Sequence, residues 1–287
     1  MVLQQPASGL AAIRRRIGDG LFGVVAGPHG DRDRSRIHDT PGPRWFTPDR
    51  PIRVVHGDAS MFVGGLRALL LQSLHPLAMA AVAEHSGYRG DPWGRLQRTS
   101  LFLAMTTYGT AADASRAVAA VQAVHRRVHG VAPDGRHYEA GDPHLLRWVH
   151  LAEVDSFICC HQRFGARRLD DPGYDEYVAD MAVVAREMGV ADPPVNRGEL
   201  AEQLASYRPE LRGTREAREA ARFMLVRTPM PLYARPPYAL LAATAVSTLP
   251  AWARWPLRLP YLPVAEATAV RLAGKTIIGG IRWVMTG

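Results

Sequence analysis

Apolar residues recur at three- and four-residue spacing along most of this chain, and β-branched residues rarely alternate. That pattern predicts helices and almost no sheet. Compact structure is expected from about Asp58. One helix is predicted over 60–73, broken at His75-Pro76, and a second over 76–85, because proline suits a first helical turn. Asp91-Pro92-Trp93 opens the next, with Asp91 as N-cap. It runs through Arg95 and Thr99 to Tyr108, where Gly109 ends it. Thr110 then caps a helix over 111–128 that Gly130 terminates, and Pro133-Asp134-Gly135 is a turn. Asp142-Pro143 repeats the Asp-Pro opening for a long helix over 144–164. Further helices are predicted over 171–188, 197–207, 214–226, 238–249 and 264–285, with the prolines at 193–194, 229–237 and 256–263 marking loops. Residues 1–50 are rich in Gly, Pro, Asp and Arg. They read as a loose arm with one short helix near Leu10–Arg16, followed by a short extended piece over 52–55. The expected architecture is a basic arm over 1–54 and one large all-α domain over 55–287, without an internal repeat.

Composition narrows the class. A chain of 287 residues, 47% apolar and 22% charged, buries a globular core. The formal net charge is +8, and Lys275 is the one lysine, so arginine carries the excess. The arginine clusters (14–16, 32–36, 126–127, 167–168) are interrupted by acidic or apolar neighbours. A solvated arginine-rich surface is the simplest reading, with attraction to anionic lipid or nucleic acid as the alternative. Cys159 and Cys160 are adjacent, which strains a disulfide, so a reduced, cytoplasmic setting is expected. Residues 1–20 have no apolar core followed by a small-residue cleavage site, so secretion is not expected. No apolar run reaches spanning length; the nearest, 238–253, contains Pro250. Trp252, Trp255, Tyr261 and Trp283 lie among Arg254, Arg258, Arg271, Lys275 and Arg282, an interleaving that interfacial segments use. Peripheral membrane contact is therefore an added expectation.

Several chemistries fail on their residues. Gly274-Lys275-Thr276 lacks the earlier glycine and the strand of a phosphate loop. No Glu-x-x-His pairs offer a di-iron site. His125 and His129 are spaced as in a zinc protease helix, but arginine stands where its glutamate is needed. No nucleophile elbow, helix-turn-helix or zinc finger is present. One constellation survives. Arg95, Arg98 and Thr99 stand at i, i+3 and i+4 on one helix face, and His125 lies on the following helix. Two cations, a hydroxyl and an imidazole around an apolar space suit a haem that handles oxygen.

The order of short motifs is more specific. The run Leu69-Leu70-Leu71-Gln72-Ser73-Leu74-His75-Pro76 is followed by Glu84-His85-Ser86 and Asp91-Pro92-Trp93-Gly94-Arg95-Leu96-Gln97-Arg98-Thr99. Then come His125-Arg126-Arg127-Val128-His129-Gly130, Trp148-Val149-His150 and Val154-Asp155-Ser156-Phe157. Over roughly 55–285 the set resembles the domain shared by MpaB-type oxygenases and bacterial latex-clearing proteins, formerly a domain of unknown function. The resemblance implies an all-helical fold, globin-like in packing around a buried pocket, that binds haem b and uses dioxygen to cleave C=C bonds of isoprenoid chains. Arg95 and Thr99 match the family's catalytic pattern, and Arg98 stands where the latex-clearing pattern has lysine. His125 matches the axial iron ligand, with His129 as its rival. Guanidinium stays protonated and cannot ligate iron, so a lysine-type cap is not expected. Arg98 would instead stabilise charge on bound oxygen or, like Arg95, pair with a propionate.

His150 and Asp155, five apart on the next helix, are candidates to stand beside the cofactor, the alternative being hydrogen bonds in the core. His75 before Pro76 is most simply a helix cap, and Glu84 is a candidate base. Leu101, Phe102, Met105 and Tyr108 read as core before pocket lining. The leading expectation is a haem-dependent oxygenase taking dioxygen and an apolar small-molecule or polyprenyl substrate, with no nucleic-acid partner. A haem carrier or gas sensor without turnover, and a basic helical protein on membrane or nucleic acid, are the alternatives.

Overall fold

The computed structural model describes residues 9–286, apart from the side chain of Leu10. The fold is all-helical, with one two-stranded hairpin. Its centre is the pairing of α4 (Met61–Gln72) with α8 (Pro143–Phe164). Gly64 allows the two to approach closely: a Cβ there would stand 2.8 Å from the Phe157 ring. Leu70 and Leu71 of α4 and Trp148, Leu151 and Val154 of α8 are fully buried at this contact. The Trp148 indole donates to the Gln72 carbonyl at 3.0 Å, which pays the polar cost of burying the ring. Arg67 is buried in the same interface. It pairs with Asp155 at 2.7 Å and donates to Ser156 Oγ at 2.7 Å and the Thr248 carbonyl at 3.1 Å.

Most predicted caps form. Asp91, Thr110 and Asp142 each accept a backbone N–H at the start of α6 (Pro92–Tyr108), α7 (Ala111–His125) and α8, and Asp170, not singled out from the sequence, does the same for α9 (Asp171–Met188). His75 Nδ1 faces the Ala78 N–H at 3.4 Å and starts α5 (Pro76–His85). α9 ends at Gly189, whose φ of +96° is the left-handed conformation that stops a helix. Then come α10 (Arg197–Ser206), α11 (Arg215–Arg222), α12 (Arg235–Thr248), α13 (Ala251–Leu257), the short α14 (Pro263–Ala265) and α15 (Arg271–Met285). α12 lies against α4 and α15.

Four expectations are corrected. The arm over 1–54 is not loose where described. It holds α1 (Gly9–Ala26) and α2 (Gly30–Asp39), with α1 packed on α6 and α15. Arg14 Nε donates to the Trp283 carbonyl at 2.6 Å, and Arg36 pairs with the buried Asp113 at 2.6 Å. The arginines that made the arm look disordered are thus partly spent on the domain. Residues 52–55 are not extended: they belong to α3 (Pro51–His56), where Pro51 suits the first turn and Ile52 and Val55 bury one face. α7 stops at His125 rather than at 128. The chain turns into β1 (His129–Val131), which pairs antiparallel with β2 (His137–Glu139). Gly135 at φ +85° makes the turn that joins them. Finally, α13 occupies part of an expected loop, with Pro250 before its first turn.

No single helix among the described residues is long and apolar enough to cross a membrane. The aromatic–cation tail is engaged internally only in part. Arg208 stacks on Trp252 at 3.9 Å and Arg254 on Tyr261 at 5.1 Å, while Trp255, Tyr261 and Trp283 all remain exposed, Trp255 most at 70%.

Candidate functional site

α6 and α7 form an antiparallel hairpin turned at Gly109-Thr110. Arg95 lies 13 residues before the end of α6, and His125 14 residues after the start of α7. At ~1.5 Å per residue both stand roughly 20 Å from the turn, at the same open end of the hairpin. Gln122 of α7 donates to the Glu187 carbonyl at 2.9 Å, tying that end to the last turn of α9. The end of α9 in turn backs onto α8: a Cβ at Gly189 would touch Leu146 at 3.9 Å. His125 and the first half of α8, which carries His150, therefore share one end of the fold.

The sequence-derived residues differ in environment. Arg95 is half-buried, and its Nη1 donates to Ser86 Oγ at 2.9 Å. Burial, with the nearby charge of Arg98, lowers its pKa against the opposing effect of Tyr88. Arg98 points outward to Asp91 at 3.3 Å, with both side chains more than 60% exposed. Thr99 is exposed, and its hydroxyl donates to the Arg95 carbonyl at 3.0 Å. The three share a helix, but Arg95 alone reaches inward.

His125 is half-buried, and burial holds its pKa below the ordinary value, so the imidazole is neutral near pH 7. His129 is exposed on β1. His150 is buried, its pKa pulled down to about 4 by loss of solvent, and its Nε2 has no hydrogen-bond partner among the described residues. Asp155 faces α4 and is engaged by Arg67, away from His150. The Glu84 carboxylate accepts from the Tyr138 hydroxyl at 2.5 Å.

A second buried group lies beside these and was not singled out from the sequence. His56 of α3 bonds Thr107 Oγ1 through Nδ1 at 2.8 Å and the Tyr177 hydroxyl through Nε2 at 3.1 Å. Its ring meets Phe157 edge-on at 5.4 Å. Burial drives the His56 pKa down to about 3. Glu153, one turn after His150, is pushed up to about 7 by burial, and its charge is felt by Tyr177. Both side chains, His56 and Glu153, are partly buried, and loss of solvent dominates the titration of each. The one sequence signal for Glu153 was its position three residues after His150, and nothing marked His56. Two shallow surface depressions lie elsewhere, one along Arg34–Asp39 and one over the hairpin strands.

A family model for the catalytic domain of the ER-bound oxygenase mpaB/B′ and rubber oxygenase matches residues 53–279. The chain belongs to this oxygenase family. The matched span runs from α3 into α15 and takes in Arg95, Arg98, Thr99, His125, His150 and Asp155, while α1 and α2 lie outside it. No curated relative and no solved structure matches the chain. Membership in the MpaB/rubber oxygenase family makes this an oxidoreductase that uses dioxygen on an organic substrate.

Proposed function

We propose that this protein is a haem b-dependent oxygenase acting on an apolar, alkene-bearing substrate of isoprenoid or lipid-like kind. The match to an oxygenase catalytic domain over 53–279 carries the reading. The donor chemistry at one end of the fold fits a haem. His150 Nε2 is a buried imidazole nitrogen without a partner among the described residues, and burial keeps both His125 and His150 unprotonated, the state iron ligation requires.

Haem iron, when bound, supplies the binding and activation of dioxygen. His125 is the residue assigned to hold it, with His150 on α8, the next helix in the chain, as the neutral group nearest in kind. Arg95 has no carboxylate partner among the described residues, so its guanidinium suits a propionate. Arg98 and Thr99 serve the α6 surface, since Arg98 points outward to Asp91 and the Thr99 hydroxyl turns back to the helix backbone. Asp155 is committed to Arg67 and serves the core. Glu153 replaces Glu84 as the acid–base candidate. Its carboxyl, pushed up to about 7, exchanges a proton near neutrality, which suits abstraction or return of a proton beside a reacting alkene. Phe157, one turn further along α8, is buried and adds an apolar neighbour on that side of the helix.

Oxygen uptake by the haem-supplied protein with a short isoprenoid oligomer tests the reading. Uptake coupled to carbonyl products is expected. A haem-bearing protein that consumes no oxygen with any alkene offered would instead be a carrier or sensor.

A further inference from the structure

At the elbow between α4 and α5 three further ligand-type side chains meet, one of them six residues before His150 on α8. His75 starts α5, His144 lies in the first turn of α8, and Glu210 follows α10. One ligand atom from each falls within 4.8 Å of the others. His144 Nε2 lies 3.1 and 2.9 Å from the two Glu210 oxygens, and His75 Nε2 lies 3.3 Å from Oε2. We propose that His75, His144 and Glu210 form a binding site for a borderline divalent transition cation such as Zn²⁺, built from none of the residues assigned to the haem.

The tautomer of His144 supports this. The Tyr207 hydroxyl donates to the His144 carbonyl at 2.8 Å, so its lone pair faces His144 Nδ1 at 3.2 Å. Nδ1 must then carry a hydrogen. In neutral His144 that leaves the Nε2 lone pair aimed at a carboxylate, an arrangement that a proton or a cation must bridge. A hydrogen bond from the second ring nitrogen is what orients a metal-ligating histidine. Two imidazoles and one carboxylate, with further positions open to water, are a ligand set that Zn²⁺ and Fe²⁺ accept. The His144 side chain is 46% exposed, which leaves an entry path, and His75 is 1% exposed, which fixes the inner ligand. Ligation would move the His75 proton to Nδ1 and give up the Ala78 cap, at 3.4 Å already long. Tyr207 stacks on His144 at 4.6 Å and leans on Trp148 at 5.4 Å, so the rings are held before any cation arrives. The cation would clamp three segments: the α4–α5 elbow, the start of α8 and the stretch after α10. That stretch already reaches the elbow through Arg212 N–H to the Leu74 carbonyl at 2.8 Å.

The test equilibrates the full-length protein, stripped with a chelator and then dialysed against Zn²⁺, and measures metal per chain and melting temperature. One equivalent and a raised melting temperature are expected for the wild type. Binding should fall at least tenfold in His144→Ala and in Glu210→Gln, both partly exposed positions where the fold should survive. It should persist in His137→Ala, which removes an exposed hairpin histidine. It should also persist in His125→Ala, so failure of the haem reading would not touch it. Equal Zn²⁺ retention in wild type, His144→Ala and Glu210→Gln would overturn the site, as would no retention by the wild type. If a variant fails to fold, paramagnetic Co²⁺ added to the wild type decides the matter: shifted proton resonances of His75, His144 and Tyr207 support the site, and unshifted ones refute it.

Discussion

Removing the Asp155 carboxylate separates a core role from a cofactor role. Its partner, the Arg67 guanidinium, is 4% exposed at the α4–α8 contact and 2.7 Å away. Breaking a buried pair from one side typically costs ~3–5 kcal/mol, because the remaining charge is stranded. Two features moderate this. Asp155 is itself 33% exposed, so water can follow its removal. Arg67 also keeps its hydrogen bonds to Ser156 and the Thr248 carbonyl. Asp155→Ala should therefore cost about 2–3 kcal/mol, and at about 2–4 °C per kcal/mol in a chain of this size the melting temperature should fall by roughly 4–12 °C. Arg67→Met combined with Asp155→Ala should recover part of the loss, since no charge is left buried. The assay is thermal denaturation by circular dichroism, paired with the visible spectrum of haem-supplied protein well below the melting temperature. Asp155→Ala should melt early with an unaltered spectrum. An unchanged melting temperature with a weakened haem band would refute the reasoning and make Asp155 a cofactor residue.

Glu153→Gln isolates a titration. The folded carboxyl, raised from 4.5 to about 7, holds a proton that the unfolded chain releases, so this group costs stability as pH rises through that window. The variant should match wild type below pH 4.5 and gain progressively to pH 7, by ~3 kcal/mol at most at 1.36 kcal/mol per unit; chemical denaturation at pH 4 and pH 8 reads it, and equal differences at both would contradict it. Gly213→Ala places a Cβ against the Pro256 backbone, so a loss of about 1–3 kcal/mol or more from overpacking is expected in urea melts. Arg98→Ala removes an exposed ion pair and should change stability by less than ~1 kcal/mol, whereas Arg95→Ala should also weaken haem retention in a gel-filtration assay.

Local signals were legible wherever one residue type dominates its own geometry. The Asp-Pro openings of α6 and α8, the Thr110 cap and the stops at Gly109 and Gly165 followed from the sequence because capping is decided within four residues. The arm was misread because α1 has few turns of its own that demand burial. Its partners, Trp283 and Thr286, lie more than 260 residues away. The hairpin after α7 was missed because three-residue strands carry too little alternation to compete with a helical pattern. At the site, the motif order identified the family and put Arg95 and His125 on the two arms of a helix hairpin. It did not distinguish the inward Arg95 from the outward Arg98, since i and i+3 differ by 60° around the helix and only the position of Asp91 decides between them. His56, Glu153 and the His75–His144–Glu210 cluster depend on contacts between distant segments, which spacing along one helix does not encode.

The most direct test of the central claim is the visible spectrum of the haem-supplied protein beside those of His125→Ala and His129→Ala. The account predicts a Soret band in the wild type, lost or displaced in His125→Ala and retained in His129→Ala. A wild-type protein without a Soret band, or a band that survives His125→Ala and disappears in His129→Ala, would contradict it.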